Sequence, residues 1–546
     1  MTSRRYNSVQ RDLRKRVQWC PRPAPLLPRW GRQLASVCVV AYAATAPRLL
    51  SAQQIAAPDS TRSVVERVFG QFRGTDRPGC AVGIQRNGRR YEGAFGMANL
   101  ETGTPITPTS IFHVASIAKQ FTAASIMLLA RDGKLSVDDD IRRYLPELPR
   151  YGTSITIRHL LTHTSGLRDQ WSLIALARGR FEENRITTDD IMDIVARQRA
   201  LNFVPGAELV YSNTGYTLLG VIVSRVSGMS LRAFAQERIF GPLGMTSTHF
   251  HDDYNMIVPG RTSAYAPAPS STGWEVSTPN FDTYGATSLF TTVGDLLRWQ
   301  ENLEAPMIGD RQLFSQMESR HRLPNGDTTT FGFGLTHDRY RGATVIGHGG
   351  ADAGYRSSVV RYPAHRLAIA LACNTARANT ALMVDALADA LLADVLEPPA
   401  PEPPLPVPTT VVAAQLTARV GVYIQPNTRQ VLEVSLHDGR LFTGRSRIAP
   451  LVPVAGNRFR VDSQPVELIF RSMDSVETRR LTGGRPVLFV RRRAGEIESS
   501  MLAQYAGTYV SEELDATYQV SASDSGLVFR VGTARPLHGR PVLRDL

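Results

Sequence analysis

Strand patterns stand at both ends of a long stretch that otherwise reads as helix. Residues 80–85 and 90–95 are β-rich runs joined by a turn at Asn87-Gly88. Comparable runs return at 343–348, 355–362 and 366–373. Residues 138–303 between them carry mostly helical patterns broken by Gly and Pro. Short strands need partners, so the two early and three late runs are expected to meet in one antiparallel sheet. The amphipathic segments 63–72 and 378–396 then pack as helices on its outer face, and the helical middle covers the other. This is an α/β (α+β) domain with a mainly antiparallel sheet flanked by helices, spanning residues 57–397.

Residues 398–410 form a Pro-rich linker, with seven prolines in the eleven residues 398–408, and read as an extended spacer. Beyond it the sequence repeats itself. Gly421, Tyr423, Val434, Asp438 and Pro450-Leu451 recur at an offset of 86 as Gly507, Tyr509, Val520, Asp524 and Pro536-Leu537. Alternating apolar positions and turn signals make each copy a small antiparallel β-barrel or meander, the first over 411–493 and the second over 500–546. The second copy is about half the length of the first. An open barrel would expose strand edges, so the second copy is expected to be cut short, the alternative being completion by other contacts.

The net charge of +13 suggests a nucleic-acid partner until its distribution is examined. Residues 1–52 carry ten Arg or Lys against one Asp, +9 of the total, which leaves the body only +4. No basic stripe interleaved with aromatics follows, so nucleic-acid binding is not expected. The basic N-terminus leads into the uncharged 13-residue run 34–46, then into small residues suited to cleavage near Ala43 or Ala52. As a helix that run spans roughly 20 Å, short of a bilayer core of about 30 Å. Residues 1–52 are therefore expected to be a signal segment, and the mature protein periplasmic or secreted with no permanent membrane span. Cys20 and Cys38 lie in that segment. Cys80 and Cys373, both in apolar strand-like runs, are expected to be buried thiols, with a disulfide possible in an exported chain. No spacing suggests a metal or a cofactor, and His249, His251, Asp252 and Asp253 read as a polar loop.

The chain contains three lysines, Lys15, Lys119 and Lys134, against 59 arginines. Arg cannot release a proton near neutral pH, whereas a desolvated Lys can. Lys119 lies three residues after Ser116, on the same face of a helix that the pair opens. Burial and the positive end of that helix both disfavour the ammonium form. The pairing points to a nucleophilic serine activated by an amine. Lys134 reads as a solvated turn residue. Tyr211-Ser212-Asn213 offers a phenol to relay protons and an amide to orient substrate or lysine. His348-Gly349-Gly350, at a predicted strand end, lets a ligand backbone lie against a sheet edge. Ser165 beside His163 is set aside as a catalytic pair, and the chain has no Gly-x-Ser-x-Gly.

Taken in order on helix, loop and strand, these three motifs resemble the serine β-lactamase and penicillin-binding-protein superfamily, especially its class C-like branch. The stretches Ile157–Leu161 with Thr162-His163-Thr164-Ser165-Gly166-Leu167, Gly241-Pro242-Leu243-Gly244-Met245 and Gly332-Phe333-Gly334-Leu335 match as well. The two downstream repeats resemble the barrel pair of bacterial D-aminopeptidases of that superfamily. The resemblance implies that Ser116 is acylated, Lys119 is its base partner and Tyr211 carries protons to the leaving group. Asn213 then orients substrate or Lys119. The backbone N–H groups of Ser116 and Ala351 form the oxyanion hole, and His348, Gly349 and Gly350 bind substrate. β-Lactamases of this type carry Lys-Thr-Gly where this chain has His348-Gly349-Gly350, which argues against efficient β-lactamase activity. The expected function is an exported hydrolase of amide, peptide (D-amino-acid included) or ester bonds. The alternative is a non-catalytic penicillin-binding or scaffolding relative of the same fold.

Overall fold

The structure, a computed structural model, describes residues 59–179, 184–268, 273–398, 413–426, 431–443, 449–462, 466–480, 486–492, 502–523, 526–532 and 537–539. The signal segment and, apart from Pro398, the Pro-rich linker fall outside them.

The central sheet has six antiparallel strands: β1 (Cys80–Arg86), β2 (Arg89–Phe95), β3 (Thr336–Tyr340), β4 (Ala343–Asp352), β5 (Tyr355–Tyr362) and β6 (Leu367–Cys373), in the order β3-β4-β5-β6-β1-β2. The early and late strands meet where β1 pairs with β6, as the sequence pattern implied. The edge strand β3 was not visible in the sequence, because Thr-His-Asp-Arg-Tyr shows no apolar alternation.

Side-chain alternation explains both faces of this sheet. On β1 and β6, Cys80, Val82, Ile84, Leu367, Ile369, Leu371 and Cys373 point to one side. There they pack with Val65 and Phe69 of helix α1 (Asp59–Phe69) and with Met383, Val384 and Leu387 of the C-terminal helix (Thr380–Leu391). Ala81, Gly83, Ala368, Ala370 and Ala372 point to the other side. These small residues let the helix Val293–Glu304 lie close: a Cβ on Gly83 would stand 3.0 Å from Leu297 Cδ1. Helix α2 (Ala118–Arg131), buried from Ala118 to Leu129, runs through the middle of the domain against the helix Asn213–Ser227. Its all-round apolar sequence suits that position.

Cys80 and Cys373 face each other across β1 and β6 and form a disulfide, with Cα atoms 4.0 Å apart. This corrects the expectation of two free buried thiols. The pairing depends on a register set between strands 293 residues apart, which neither local run reveals.

Beyond the linker, eight strands from Gly421–Ile424 to Val487–Arg492 close into an antiparallel barrel. A four-stranded antiparallel sheet follows, from Gly507–Ser511 to Leu537–Gly539. The offset of 86 reappears as register: Gly421 pairs with Val434, and Gly507 with Val520. It also reappears as chemistry, since Tyr423 donates to the carbonyl of Arg419 and Tyr509 to that of Tyr505, each at 2.9 Å. The first hairpin of the second copy rests on the main domain: Glu513 pairs with Arg168 at 3.0 Å, and Tyr518 donates to the Leu176 carbonyl at 2.6 Å. Among the described residues no single helix is long and apolar enough to cross a membrane.

Candidate active site

Ser116 stands at a sharp break in the backbone. The short strand Phe112–His113 ends, Ala115 turns through a left-handed φ of +49°, and one 3₁₀ turn (Ala115–Ile117) leads into α2. Ser116 therefore sits on a turn just ahead of the helix rather than within it. Lys119 is the second residue of α2 and is fully buried, whereas Lys134 is exposed.

Three acceptors surround Lys119 Nζ: Ser116 Oγ at 3.0 Å, Asn213 Oδ1 at 2.9 Å and the Ala286 carbonyl at 2.7 Å. As an ammonium it donates to all three. As a neutral amine it keeps two N–H groups for the two carbonyl oxygens, and its lone pair is left facing Ser116 Oγ. The Tyr211 hydroxyl reaches the same Oγ at 3.0 Å. Helix, loop and sheet motifs thus converge. Ser116, Lys119, Tyr211 and Asn213 form one hydrogen-bonded group, and His348 stands with its ring centroid 6.2 Å from that of Tyr211.

Two residues to which the sequence reading gave no role in the site, Asp169 and His163, hold this group in place. Asp169 accepts both the backbone N–H and the side-chain amide of Asn213, at 2.8 and 3.0 Å, while its other oxygen caps Trp171 N–H at 3.0 Å. One carboxylate therefore serves the N-termini of two helices, Gln170–Arg178 and Asn213–Ser227. A carboxylate only accepts, so the Asn213 NH₂ must face it and Oδ1 must face Lys119. His163, set aside with Ser165, stacks under Tyr211 at 4.3 Å and accepts from Ser212 N–H at 3.2 Å. Its signal was hidden because Tyr211 lies 48 residues further along the chain.

His348-Gly349-Gly350 lies inside β4 rather than at its end. Glycines read as terminators, but Gly350 has a packing reason to be here: a Cβ would come within 2.3 Å of the Val114 carbonyl oxygen. The strand carrying Ala351 can thus press against the turn that carries Ser116. At Gly349 a Cβ would meet nothing closer than the Ser357 carbonyl at 3.7 Å, an ordinary contact, so crowding does not explain the absence of a side chain there. His348 Nδ1 lies 2.6 Å from the Gly349 carbonyl, and its buried Nε2 has no hydrogen-bond partner. Burial, reinforced by the Lys119 charge, pushes His348 down to about 4. The ring is neutral at pH 7, and with Nδ1 donating to the Gly349 carbonyl its Nε2 is an acceptor.

Of the four residues read as a polar loop, His251, Asp252 and Asp253 lie outside regular structure, and His249 does not. His249 lies in the short strand His249–Phe250, and both rings pack on Phe290 at 5.6 and 4.5 Å. Among the described residues no group of three or more His, Cys, Asp or Glu is arranged to hold a metal ion.

Several buried histidines share the displacement of His348. Burial is the leading cause in each case: His113 is pushed down to about 3, His249 and His251 to about 4, and His163 well below its ordinary value. An unfolded chain protonates these rings near pH 6.5, whereas the folded chain resists until about pH 4 or below. Between those values the unfolded state binds more protons, so stability falls as pH falls. Asp385, pushed up to about 6 mainly by burial, works in the opposite sense, as do Glu92, Asp295 and Glu318, which burial also raises; they are outnumbered by these five histidines together with His159, His321 and His337, which burial lowers too. The melting temperature is expected to drop steadily from pH 6.5 to pH 4.5 and to be nearly level from 6.5 to 7.5. A melting temperature that rises toward acid would contradict this account.

A family profile described as Beta-lactamase matches residues 65–394. The chain belongs to the β-lactamase family, within the superfamily shared with the penicillin-binding proteins. Among curated relatives, penicillin-binding protein 4* of Bacillus subtilis is 33% identical over 293 residues, covering 50% of this chain and 63% of that protein. A D-aminopeptidase of Gluconobacter oxydans is 28% identical over 298 residues, covering 54% and 56%. The chain thus spans less than two thirds of the length of these relatives. Among solved structures, the octameric penicillin-binding protein homologue from Pyrococcus abyssi aligns with a TM-score of 0.55 at 23% identity, over 79% of this chain and 99% of that one. The D-amino acid amidase from Ochrobactrum anthropi SV3 aligns with a TM-score of 0.53 at 24% identity, over 62% and 98%. At these identities the two structures speak to the fold.

Proposed function

We propose that the chain is a serine hydrolase that works through an acyl-enzyme on Ser116. The observation carrying this reading is the buried Lys119 amine, whose two carbonyl acceptors leave its third position to Ser116 Oγ at 3.0 Å. In the first half-reaction Oγ attacks the substrate carbonyl carbon as its proton passes to Nζ. The tetrahedral oxyanion is held by the N–H groups of Ser116 and Ala351. The C–N or C–O bond then breaks, and the leaving amine or alcohol takes up a proton relayed through Tyr211, 3.0 Å from the same Oγ. Water repeats the sequence on the acyl group, which releases the acid and restores Ser116.

The substrate class favoured is amides or peptides of D-amino acids, or small esters, ahead of β-lactams. Two observations support this ranking. His348 is neutral above about pH 4 and so supplies no charge for a β-lactam carboxylate, and Gly349 supplies no hydroxyl. Similar proteins also include a D-aminopeptidase and a D-amino acid amidase. A hydrolysis screen of D-aminoacyl amides, p-nitrophenyl esters and a chromogenic cephalosporin tests it. Turnover of an amide or ester at least about 100-fold above the cephalosporin is expected, because one lost oxyanion- or carboxylate-binding contact is worth that much. Turnover of the cephalosporin alone would reverse the ranking.

The same reading includes export to the periplasm or beyond. The basic and apolar N-terminal segment supports it, and so does the Cys80–Cys373 disulfide, which belongs to oxidising compartments. Recovery of a mature protein that still begins at Met1 would count against it.

A further inference from the structure

Immediately behind Ser116 lies a buried polar cluster that the catalytic reading does not use. His113 is 2% exposed, and its Nδ1 accepts the N–H of Ala115 at 3.2 Å. That bond puts the ring proton of the neutral imidazole on Nε2. Nε2 faces Thr287 Oγ1 at 3.5 Å and Asp352 Oδ2 at 3.8 Å, and the Thr287 hydroxyl donates to the same Asp352 oxygen. Thr287 and Asp352 are themselves buried. The His113 ring is wedged between Phe290, edge-on at 5.3 Å, and Tyr355 at 5.6 Å.

Each member of the cluster is next to, or one residue removed from, a working part of the site. His113 grips Ala115, the left-handed residue directly before Ser116. Thr287 follows Ala286, whose carbonyl accepts from Lys119. Asp352 follows Ala351. A non-glycine residue held at positive φ persists only where its surroundings over-determine it, and such residues concentrate at functional sites. The turn is held from two further sides: Val114 N–H donates to the Leu289 carbonyl at 2.9 Å, and Ser357 donates to the Val114 carbonyl at 2.9 Å. Those bonds fix Val114. The Ala115 N–H is held by His113.

We propose that His113, Thr287 and Asp352 are positioning residues that lock Ala115 in its left-handed turn and tie that turn to the strand carrying Ala351. The two donors of the oxyanion hole come from segments 235 residues apart in sequence, Ser116 and Ala351. They must nevertheless stand at a set separation, because a shift of about 1 Å in such a constellation costs on the order of 10²-fold in rate. A buried, mutually bonded cluster between the two segments supplies that rigidity. Burial, then the charges of Arg261 and His251, keep His113 neutral down to about pH 3, so Nδ1 remains an acceptor throughout the working range. The inference rests on the acyl-enzyme reading of Ser116.

The test uses the full chain, a p-nitrophenyl ester and a boronic acid, which mimics the tetrahedral intermediate and needs the oxyanion hole. His113→Phe keeps a ring and removes both nitrogens. His113→Asn restores an acceptor near the position of Nδ1. Thr287→Val removes only the hydroxyl link to Asp352. His113→Phe is expected to lower kcat about 100-fold with KM within about 3-fold, and to weaken boronic acid binding by a similar factor. His113→Asn should recover to within about 10-fold of wild type, and Thr287→Val should lose about 10-fold in kcat. A folded His113→Phe variant with wild-type kcat and boronate affinity overturns the proposal, as does a His113→Asn variant no better than His113→Phe. If His113→Phe does not fold, a folded Thr287→Val variant at wild-type kcat overturns it instead. A wild-type chain that neither turns over the ester nor takes a fluorophosphonate on Ser116 defeats the acyl-enzyme reading, and this inference with it. An active wild type with indifferent variants defeats the inference alone.

Discussion

Replacing Ser116 by Ala is expected to lower turnover by about 10⁴-fold or more, since loss of a nucleophile removes nearly all the acceleration its partners provide. Ser116 Oγ is the atom within 3.0 Å of both Lys119 Nζ and the Tyr211 hydroxyl. Without it the amine has no proton to take and the phenol no leaving group to serve. The fold should tolerate the change. Lys119 keeps the Asn213 and Ala286 acceptors, and Ser116 is only partly buried. Unfolding free energy is expected to stay within about 1 kcal/mol of wild type, the ordinary range for removing one partly exposed hydroxyl. Ester hydrolysis, fluorophosphonate labelling and a urea melt on the same preparation check all three statements. A folded Ser116→Ala protein that still turns over substrate or still takes the label shows that the nucleophile is elsewhere.

Much of this architecture was legible because it obeys a short period. Strands such as Leu367–Cys373 announce themselves through composition, and α2 through a length of apolar residues that only a buried helix can carry. The three groups of the candidate site were legible because each stands in a suggestive local setting, and Lys119 above all because lysine is rare in this chain. What was not legible depends on distance in sequence. The Cys80–Cys373 bond needs a register, Asp169 matters only because Asn213 starts a helix beside it, and His163 only because Tyr211 lies on it. His113 is ordinary in the sequence and becomes notable only when Ala115 turns left-handed. The misreading of Gly349-Gly350 as a strand end has the same origin. A glycine can mark where a strand stops, or where another backbone must pass, and at Gly350 the passing backbone is Val114. Position in the fold, not residue type, distinguishes the two.

The exchange Lys119→Arg separates an enzyme from a binding protein of the same fold, and turnover is expected to fall by about 10³-fold or more, the scale of a lost general base. Arg supplies donors for the Asn213 and Ala286 carbonyls and keeps the positive charge, so a site that merely needed a cation would accept it. It cannot take the proton from Ser116, since guanidinium does not deprotonate in proteins. Lys119 is completely enclosed, so the longer, planar side chain also has to be accommodated. Lys119→Met, close in volume and uncharged, controls for this: it should fold and be as inactive as the Arg variant. Single-turnover acylation by a p-nitrophenyl ester is the measurement of choice, because it isolates the step in which the base acts. Acylation at the wild-type rate in a folded Lys119→Arg protein would favour the scaffolding alternative and remove the amine from the mechanism. The chain's own usage argues against that outcome. It employs Arg for 59 of its 62 Lys and Arg residues, so a buried position that needed only charge had ample precedent for Arg. On the acyl-enzyme reading, Lys119 stands where a proton has to be able to leave.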